Sequence, residues 1–254
     1  MGQLGKIVLP NVRKIFIPDP GYTFFECDLA GADAQVVAWR AEDEDLKAAF
    51  RAGLDVHSKN AEDMWGGAFT SLQGVARYKK RQQLKQGVHA TNYGTTSRTI
   101  AGILGWTVHE AETFMTRWFS IHPKIGPITR KDSWHYRVQK QLDATKTITN
   151  GFGYRRVYFD RPDECFTEAL AWDPQSTVAL VSFHGAVQLE SRQPDVEALL
   201  QNHDSIAFQL LTKSVTPERI ERIKKDLEFP VPYSDPLTIR VDLKKSSVSW
   251  GDCK

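Results

Sequence analysis

The sequence predicts an α+β fold: strands open the chain, helices fill its middle, and strands mixed with helices close it. Three observations carry this. Residues 12–28 hold short runs of β-branched and aromatic residues around a Pro-Asp-Pro-Gly turn at 18–21. Residues 71–145 read mostly as helix, punctuated by capping sequences. Past residue 199, two apolar runs meet at Asn202-His203-Asp204, and an alternating segment ends the chain.

In order, Ile15-Phe16-Ile17 and Thr23 to Asp28 read as the two strands of a hairpin, the second ending at Asp28. Ala30-Gly31 breaks it, and 32–42 is helical by composition. Asp55-Val56-His57 opens another helix, with Asp55 as its cap and His57 packed. Residues 71–100 read as one long helix, basic in its first half and weakened at Gly87. Thr107-x-x-Glu110 is a capping box for a helix through Phe119, which His122-Pro123 ends. Residues 125–145 are helical again, 150–153 form a turn, and 155–159 a strand. Residues 174–191 are apolar on nearly every side and predict a buried helix. Residues 199–211 predict a hairpin with a polar tip, Thr216-Pro217 a helix start, and 238–250 a strand. The middle helices form a lobe of their own.

The 254 residues suffice for one large domain or two small ones, and the composition is that of a soluble globular protein. No apolar run approaches the ~18 residues that suggest a membrane span, and the start is not a signal peptide. Three widely spaced cysteines suggest neither a disulfide framework nor a zinc cluster, so a reducing compartment is expected. A net charge of +2 does not by itself announce nucleic-acid binding.

The most informative pattern is Arg81, Lys85, His89 and Tyr93, at a strict spacing of four, followed by Gly94. On a helix these form one slowly turning stripe roughly 18 Å long. Two cations, two rings and a bare position suit, in that order, a triphosphate, a nucleobase and a closely approaching strand. The same stripe also reads as the basic face of an amphipathic surface helix. Asp28 and Asp204 each stand at a strand end, where a carboxylate has a rigid base and open solvent. Neighbouring strands would let the pair hold two magnesium ions about 3.5–4 Å apart for an in-line displacement at phosphorus. Each also reads as a turn-forming Asp.

The segment Arg81-x3-Lys85-x3-His89-x3-Tyr93-Gly94 resembles motif B of the family A DNA polymerases, the bacterial polymerase I and phage type. Asp28-Leu-Ala-Gly-Ala-Asp33 resembles motif A, and His203-Asp204-Ser205 resembles motif C. Lesser matches are Val12-Arg13-x-x-Phe16, Asp55-Val56-His57, Phe119-x-x-His122-Pro123, Phe152-Gly153-x-Arg155-Arg156, Gln175 and Trp250. The resemblance covers nearly the whole chain, with the motifs in family order.

It implies an antiparallel palm sheet flanked by helices (residues 1–58 and 136–254) and a helical fingers subdomain (59–135). The implied activity is template-directed DNA synthesis by two-metal nucleotidyl transfer from dNTPs to a primer 3′-OH. Asp28 and Asp204 would be catalytic, holding two Mg2+ ions with the carbonyl of Leu29. Arg81, Lys85, His89, Tyr93 and Asp33 would bind the nucleotide. Gly94, Gln175, His203 and Arg13 would contact primer-template DNA. The implied setting is the cytoplasm of a bacterial or phage-infected cell, away from membranes.

Several positions depart from the family pattern. Asp33 stands where the family has a longer Glu that crowds the ribose 2′ position, which predicts weaker sugar discrimination. His89 replaces a Phe or Tyr, Ser205 replaces a common Glu, and Thr167 and Ala171 replace an Arg and an Asn. The chain starts almost at the palm, so either a truncated polymerase or a split one with its thumb and exonuclease on a separate chain is expected, with weak DNA binding and short extension by this one. A catalytically weak or inactive nucleic-acid-binding subunit of a split polymerase is the alternative function. A metal-dependent phosphohydrolase reading lacks the further His and Asp ligands such a site needs.

Overall fold

The structure is a computed structural model that describes residues 10–254. The first nine residues of the expected palm segment lie outside the described residues. In chain order the elements begin with strand β1 (Tyr22–Leu29) and helices α1 (Ala32–Ala41), α2 (Glu44–Arg51), α3 (Val56–Trp65) and α4 (Gly67–Thr70). Helices α5 (Gly74–Asn92), α6 (Ser97–Leu104), α7 (Val108–Ile121) and α8 (Trp134–Thr145) follow. Strands β2 (Thr147–Thr149) and β3 (Arg155–Val157) precede the long helix α9 (Pro162–Arg192). Strands β4 (Glu197–Asn202) and β5 (Ser205–Leu211), helix α10 (Pro217–Leu227) and strand β6 (Val241–Ser246) complete the chain. This mixture of helices with an antiparallel sheet is the α+β class the sequence predicts.

Two compact units divide the chain. Of the described residues, one comprises those up to Ala30, Ala179–Pro230 and Thr238–Lys254; the other comprises Gly31–Val178 and Val231–Leu237. The first is built on a four-stranded sheet in the order β4-β5-β1-β6, antiparallel throughout. Its central strand β1 is buried along both faces, which is why Phe24-Phe25-Glu-Cys27 reads as a nearly continuous apolar run rather than an alternating one. Phe25 faces Phe208 of β5 with stacked rings 5.0 Å apart. Edge strand β4 is exposed at every position and carries an irregularity at Ala198/Leu200, devices that blunt a sheet edge. Helix α10 opens as the Thr216-Pro217 signal predicts, with the Thr216 hydroxyl accepting from the Arg219 N–H.

The expected hairpin of residues 15–17 with 23–28 does not form. Both edges of β1 are taken by β5 and β6. Pro18 and Pro20 remove two backbone donors from the segment that would pair. Residues 12–15 instead make a 3-10 turn capped by Asn11, and Phe16 packs edge-on against Trp250 at 5.6 Å. The expected terminal strand is likewise shorter: β6 stops at Ser246, and Trp250–Asp252 closes the chain as another 3-10 turn.

In the second unit the expected helix over 71–100 is two helices. The break lies at Tyr93–Thr96, where Gly94 adopts φ +71° and Thr96 caps α6 anew by accepting from the Thr99 N–H. Gly87 does not break α5. Its missing side chain makes room for Phe114, which a Cβ there would meet at 2.9 Å. Helix α7 has the complete Thr107/Glu110 capping box. Helix α8 begins at Trp134 rather than 125. Ser133 caps it, and its hydroxyl donates to the Pro127 carbonyl at 2.8 Å. Helix α9 starts at Pro162, well before 174, and runs through Pro174. Its expected burial on all sides fails at Phe183 and Val187, both about half exposed. The β2–β3 turn is tied to α9: Asn150 donates to the Ser176 hydroxyl at 3.0 Å, and the Gly151 N–H donates to Thr177 at 3.1 Å. Among the described residues, no helix is long and apolar enough to cross a membrane.

Gly185 of α9 lies against the backbone of Leu227, whose carbonyl oxygen would stand 2.6 Å from an added Cβ. Backbone cannot yield as a side-chain tip can, so Gly185→Ala is expected to destabilise the first unit by about 2 kcal/mol through overpacking. A lowered thermal midpoint measures this; an unchanged midpoint would mean the two helices separate freely.

Candidate active site

In the first unit, the ladder of β1 with β5 brings two acidic residues together. Asp28 pairs with Ser205 in register, and the Leu29 N–H donates to the Asp204 carbonyl at 3.0 Å. Asp204 occupies the β4–β5 turn after His203, whose φ of 53° is a conformation that His tolerates better than most residues. Asp28 is half-buried. Burial and then the negative charge of Asp204 push its pKa above the ordinary carboxylate value, while Lys244 works against them. Two carboxylates that resist sharing negative charge are a good seat for a hard cation. Among the described residues no group of three or more His, Cys, Asp or Glu is placed to hold a metal.

Other predicted residues of this unit lie around the sheet. His203 is exposed at the turn beside Asp204. Arg13 donates to Glu26 at 2.7 Å, and its guanidinium lies 4.4 Å from the centre of the Trp250 ring. Glu26 also accepts from the Trp250 indole at 2.8 Å. Cys27, one residue before Asp28, is buried, and burial pushes its thiol up to about 12.

In the second unit, α5 carries the stripe. Leu84, Val88 and Thr91 are buried, while Lys85 and His89 are exposed. Arg81 binds Asp55 through two hydrogen bonds of 2.8 and 2.7 Å. Asp55 also caps α3, accepting from the Ser58 N–H and hydroxyl. The Arg81 guanidinium holds the Asp55 carboxyl well below the usual carboxylate range. Lys85 makes no salt bridge among the described residues, so its charge is available. The rings of His89 and Tyr93 meet edge to face at 4.4 Å. Burial lowers the pKa of His89; Asp33 opposes this and Lys85 adds to it. Burial, then the charge of Asp33, raises that of the Tyr93 phenol. Asp33, His89 and Tyr93 thus form one electrostatic group at the end of the stripe.

Gly94 is required by the fold itself: beyond its positive φ, a Cβ would meet Leu170 at 3.0 Å and Phe166 at 3.3 Å. Gln175 is exposed on α9. His57 is a member of this group that the sequence gives only a packing role. Burial, then Lys85 and Arg81, lowers it to about 4, and its Nδ1 is buried without a hydrogen-bond partner. The helix cap at Asp55 was the available signal: it fixes the first turn of α3, and with it His57, beside the cations of α5. The arrangement offers one free cation, one cation on loan to a carboxylate, and neutral rings.

The Asp55–Arg81 pair sets a pH dependence. Because the folded carboxyl titrates below its unfolded value of ~3.9, the pair contributes stability above that value and loses it as pH falls below it. Asp55→Asn keeps a good N-cap and removes only the charge. It is expected to cost less than ~1 kcal/mol at pH 7, since the pair is half-exposed. The difference should shrink in urea melts at pH 3, and an equal difference at both pH values would refute the ion pair.

The sequence matches the DNA polymerase family A model over residues 6–252. It is 26% identical over 253 residues to the thermostable DNA polymerase I of Thermus filiformis, covering 96% of this chain and 29% of that one. It is 28% identical over 264 residues to the DNA polymerase I of Geobacillus stearothermophilus, covering 96% and 28%. The chain therefore spans less than a third of the length of these relatives. The fold is similar to that of the POL domain of Pol1 from M. smegmatis in complex with DNA primer-template and dNTP. That similarity has a TM-score of 0.79 at 19% identity and covers 95% of this chain and 42% of that one. Matched by the family along almost its entire length, the chain belongs to the family A DNA polymerases.

Proposed function

We propose that this chain performs template-directed DNA synthesis, extending a primer 3′-OH with dNTPs on primer-template DNA. The observation that carries the reading is the meeting of Asp28 and Asp204 at one end of a sheet, in a chain of this family. Asp28, Asp204 and the Leu29 carbonyl are the residues that would hold two Mg2+ ions; two carboxylates and a carbonyl are the oxygen donors this ion takes. Bound there, the ions would supply Lewis-acid activation of the 3′-OH and neutralise charge on the triphosphate.

The chain's own residues select and orient. Lys85 offers its free ammonium to the triphosphate, and Arg81 joins it by exchanging the Asp55 carboxylate for phosphate oxygens, an exchange its planar fork permits. His57, neutral at physiological pH, is positioned with them as a polar group that adds no charge. His89 lies against the sugar and base, and Asp33 with Tyr93 limits the space at the ribose 2′ position. Tyr93 and Gly94 guard the templating base, His203 contacts the primer terminus, Gln175 the minor groove and Arg13 the DNA. In this reading residues 1–58 and 136–254 serve as palm and 59–135 as fingers.

Single-nucleotide incorporation on a primer-template with Mg2+ tests the proposal. The wild type is expected to add the templated dNTP, and Asp28→Asn or Asp204→Asn to lower kcat on the order of a hundredfold or more. Primer-template binding without any incorporation would overturn synthesis in favour of a binding subunit. Asp33 is one methylene shorter than Glu, so Asp33→Glu is expected to increase discrimination against rNTPs. An unchanged dNTP/rNTP ratio would remove Asp33 from sugar selection.

A further inference from the structure

The carbonyls that end α5 can be accounted for one by one. His89 O accepts from the Tyr93 N–H, Ala90 O from Thr95, and Thr91 O from Gly94, at 3.2, 3.0 and 3.1 Å. The helix stops there, so Asn92 O has no backbone donor of its own in the next turn. It accepts instead from Nε2 of His135 on α8 at 2.8 Å. A carbonyl cannot donate, so Nε2 carries the proton. The Asn92 side chain is held as well, its Oδ1 accepting from the Trp118 indole of α7 at 2.8 Å. His135 and Trp118 are 3% and 1% exposed.

An imidazole in such a place needs a reason. His135 is surrounded by the rings of Phe119, Trp134 and Phe166 at 5.3, 5.7 and 5.8 Å. Burial there lowers its pKa to about 4, so it is a neutral donor at physiological pH. An apolar residue would fill the space without the cost of burying a polar ring. The ring also reaches the stripe by a second route. Phe166, edge-on to His135, is one of the two side chains that close over Gly94, the other being Leu170.

We infer that His135 is a positioning residue for the templating end of the stripe: its Nε2–H holds the Asn92 carbonyl and its ring holds Phe166, which together fix the Tyr93–Gly94 turn. The inference rests on the proposed polymerase reading for its consequence, which is accuracy of nucleotide selection. A turn held from α7 and α8 keeps Tyr93 against Asp33 and His89; a loosened turn lets that group shift and admit mispaired nucleotides.

Three variants test it: His135→Phe, which keeps a ring and removes the donor, His135→Gln, which keeps an N–H donor, and Trp118→Phe, which removes the bond to Asn92 Oδ1 together with part of a buried ring. Two readouts are needed. One is amide exchange of the segment 93–96. The other is the ratio of correct to mismatched single-nucleotide insertion. His135→Phe is expected to speed exchange and to lower the insertion ratio, each about tenfold, the effect of one lost buried hydrogen bond. His135→Gln should restore both towards wild type. Exchange unchanged in His135→Phe overturns the inference, as does faster exchange with an unaltered insertion ratio, which would make His135 structural only. If His135→Phe does not fold, His135→Leu takes its place, and the absence of the two changes there overturns the inference. A wild-type chain that incorporates nothing sinks the polymerase reading, while the exchange comparison still decides whether His135 holds the turn.

Discussion

The pairing of β1 with β5 is the constraint on which the first unit depends. Asp28 and Asp204 are far apart in sequence, and neither is informative alone. Side chains of a strand alternate, so a slip of one residue in this ladder would turn Asp28 to the opposite face. The register is held away from the acidic end, by Phe25 against Phe208 and by strand pairs from Tyr22 onwards. Apolar packing in the middle of the sheet thus sets which acidic residues meet at its end. Burial of Asp28 in that sheet, and then the negative charge of Asp204, raise its pKa.

The second unit works by a different balance. Along the stripe of its basic helix, Lys85 makes no salt bridge among the described residues while Arg81 holds Asp55, and both histidines beside the stripe titrate below their ordinary value. Burial is the leading cause for each. The termination of the helix is equally managed, with each of the last carbonyls given a named donor from the following turn or from α8.

Where the signal was local, the fold was legible in the sequence. The capping box at Thr107, the Thr216-Pro217 start and the turn at Asn202-His203-Asp204 each depend on residues a few positions apart. The failures are of two kinds, distant contacts and a local turn read as helix. Residues 15–17 lost their strand partner because distant β5 and β6 hold both edges of β1. Gly87 looked like a weak point in a helix but answers to Phe114, and the true break at 93–96 follows from a positive φ that only Gly94 supplies cheaply. The same division holds for the candidate site. Spacing picked out the α5 stripe, and strand ends picked out the two acids. Asp55 on Arg81, His57 beside the cations and His135 under the turn are contacts between elements; the Asp55 cap marks where α3 starts but not what it touches.

Cys27 stands next to Asp28 in the chain, inside a strand covered on both faces, with its proton held so tightly that almost no thiolate exists at neutral pH. Oxidants and alkylating agents attack thiolates. A thiol beside Asp28 of the acidic pair is thereby kept unreactive by the burial of the strand that carries both residues.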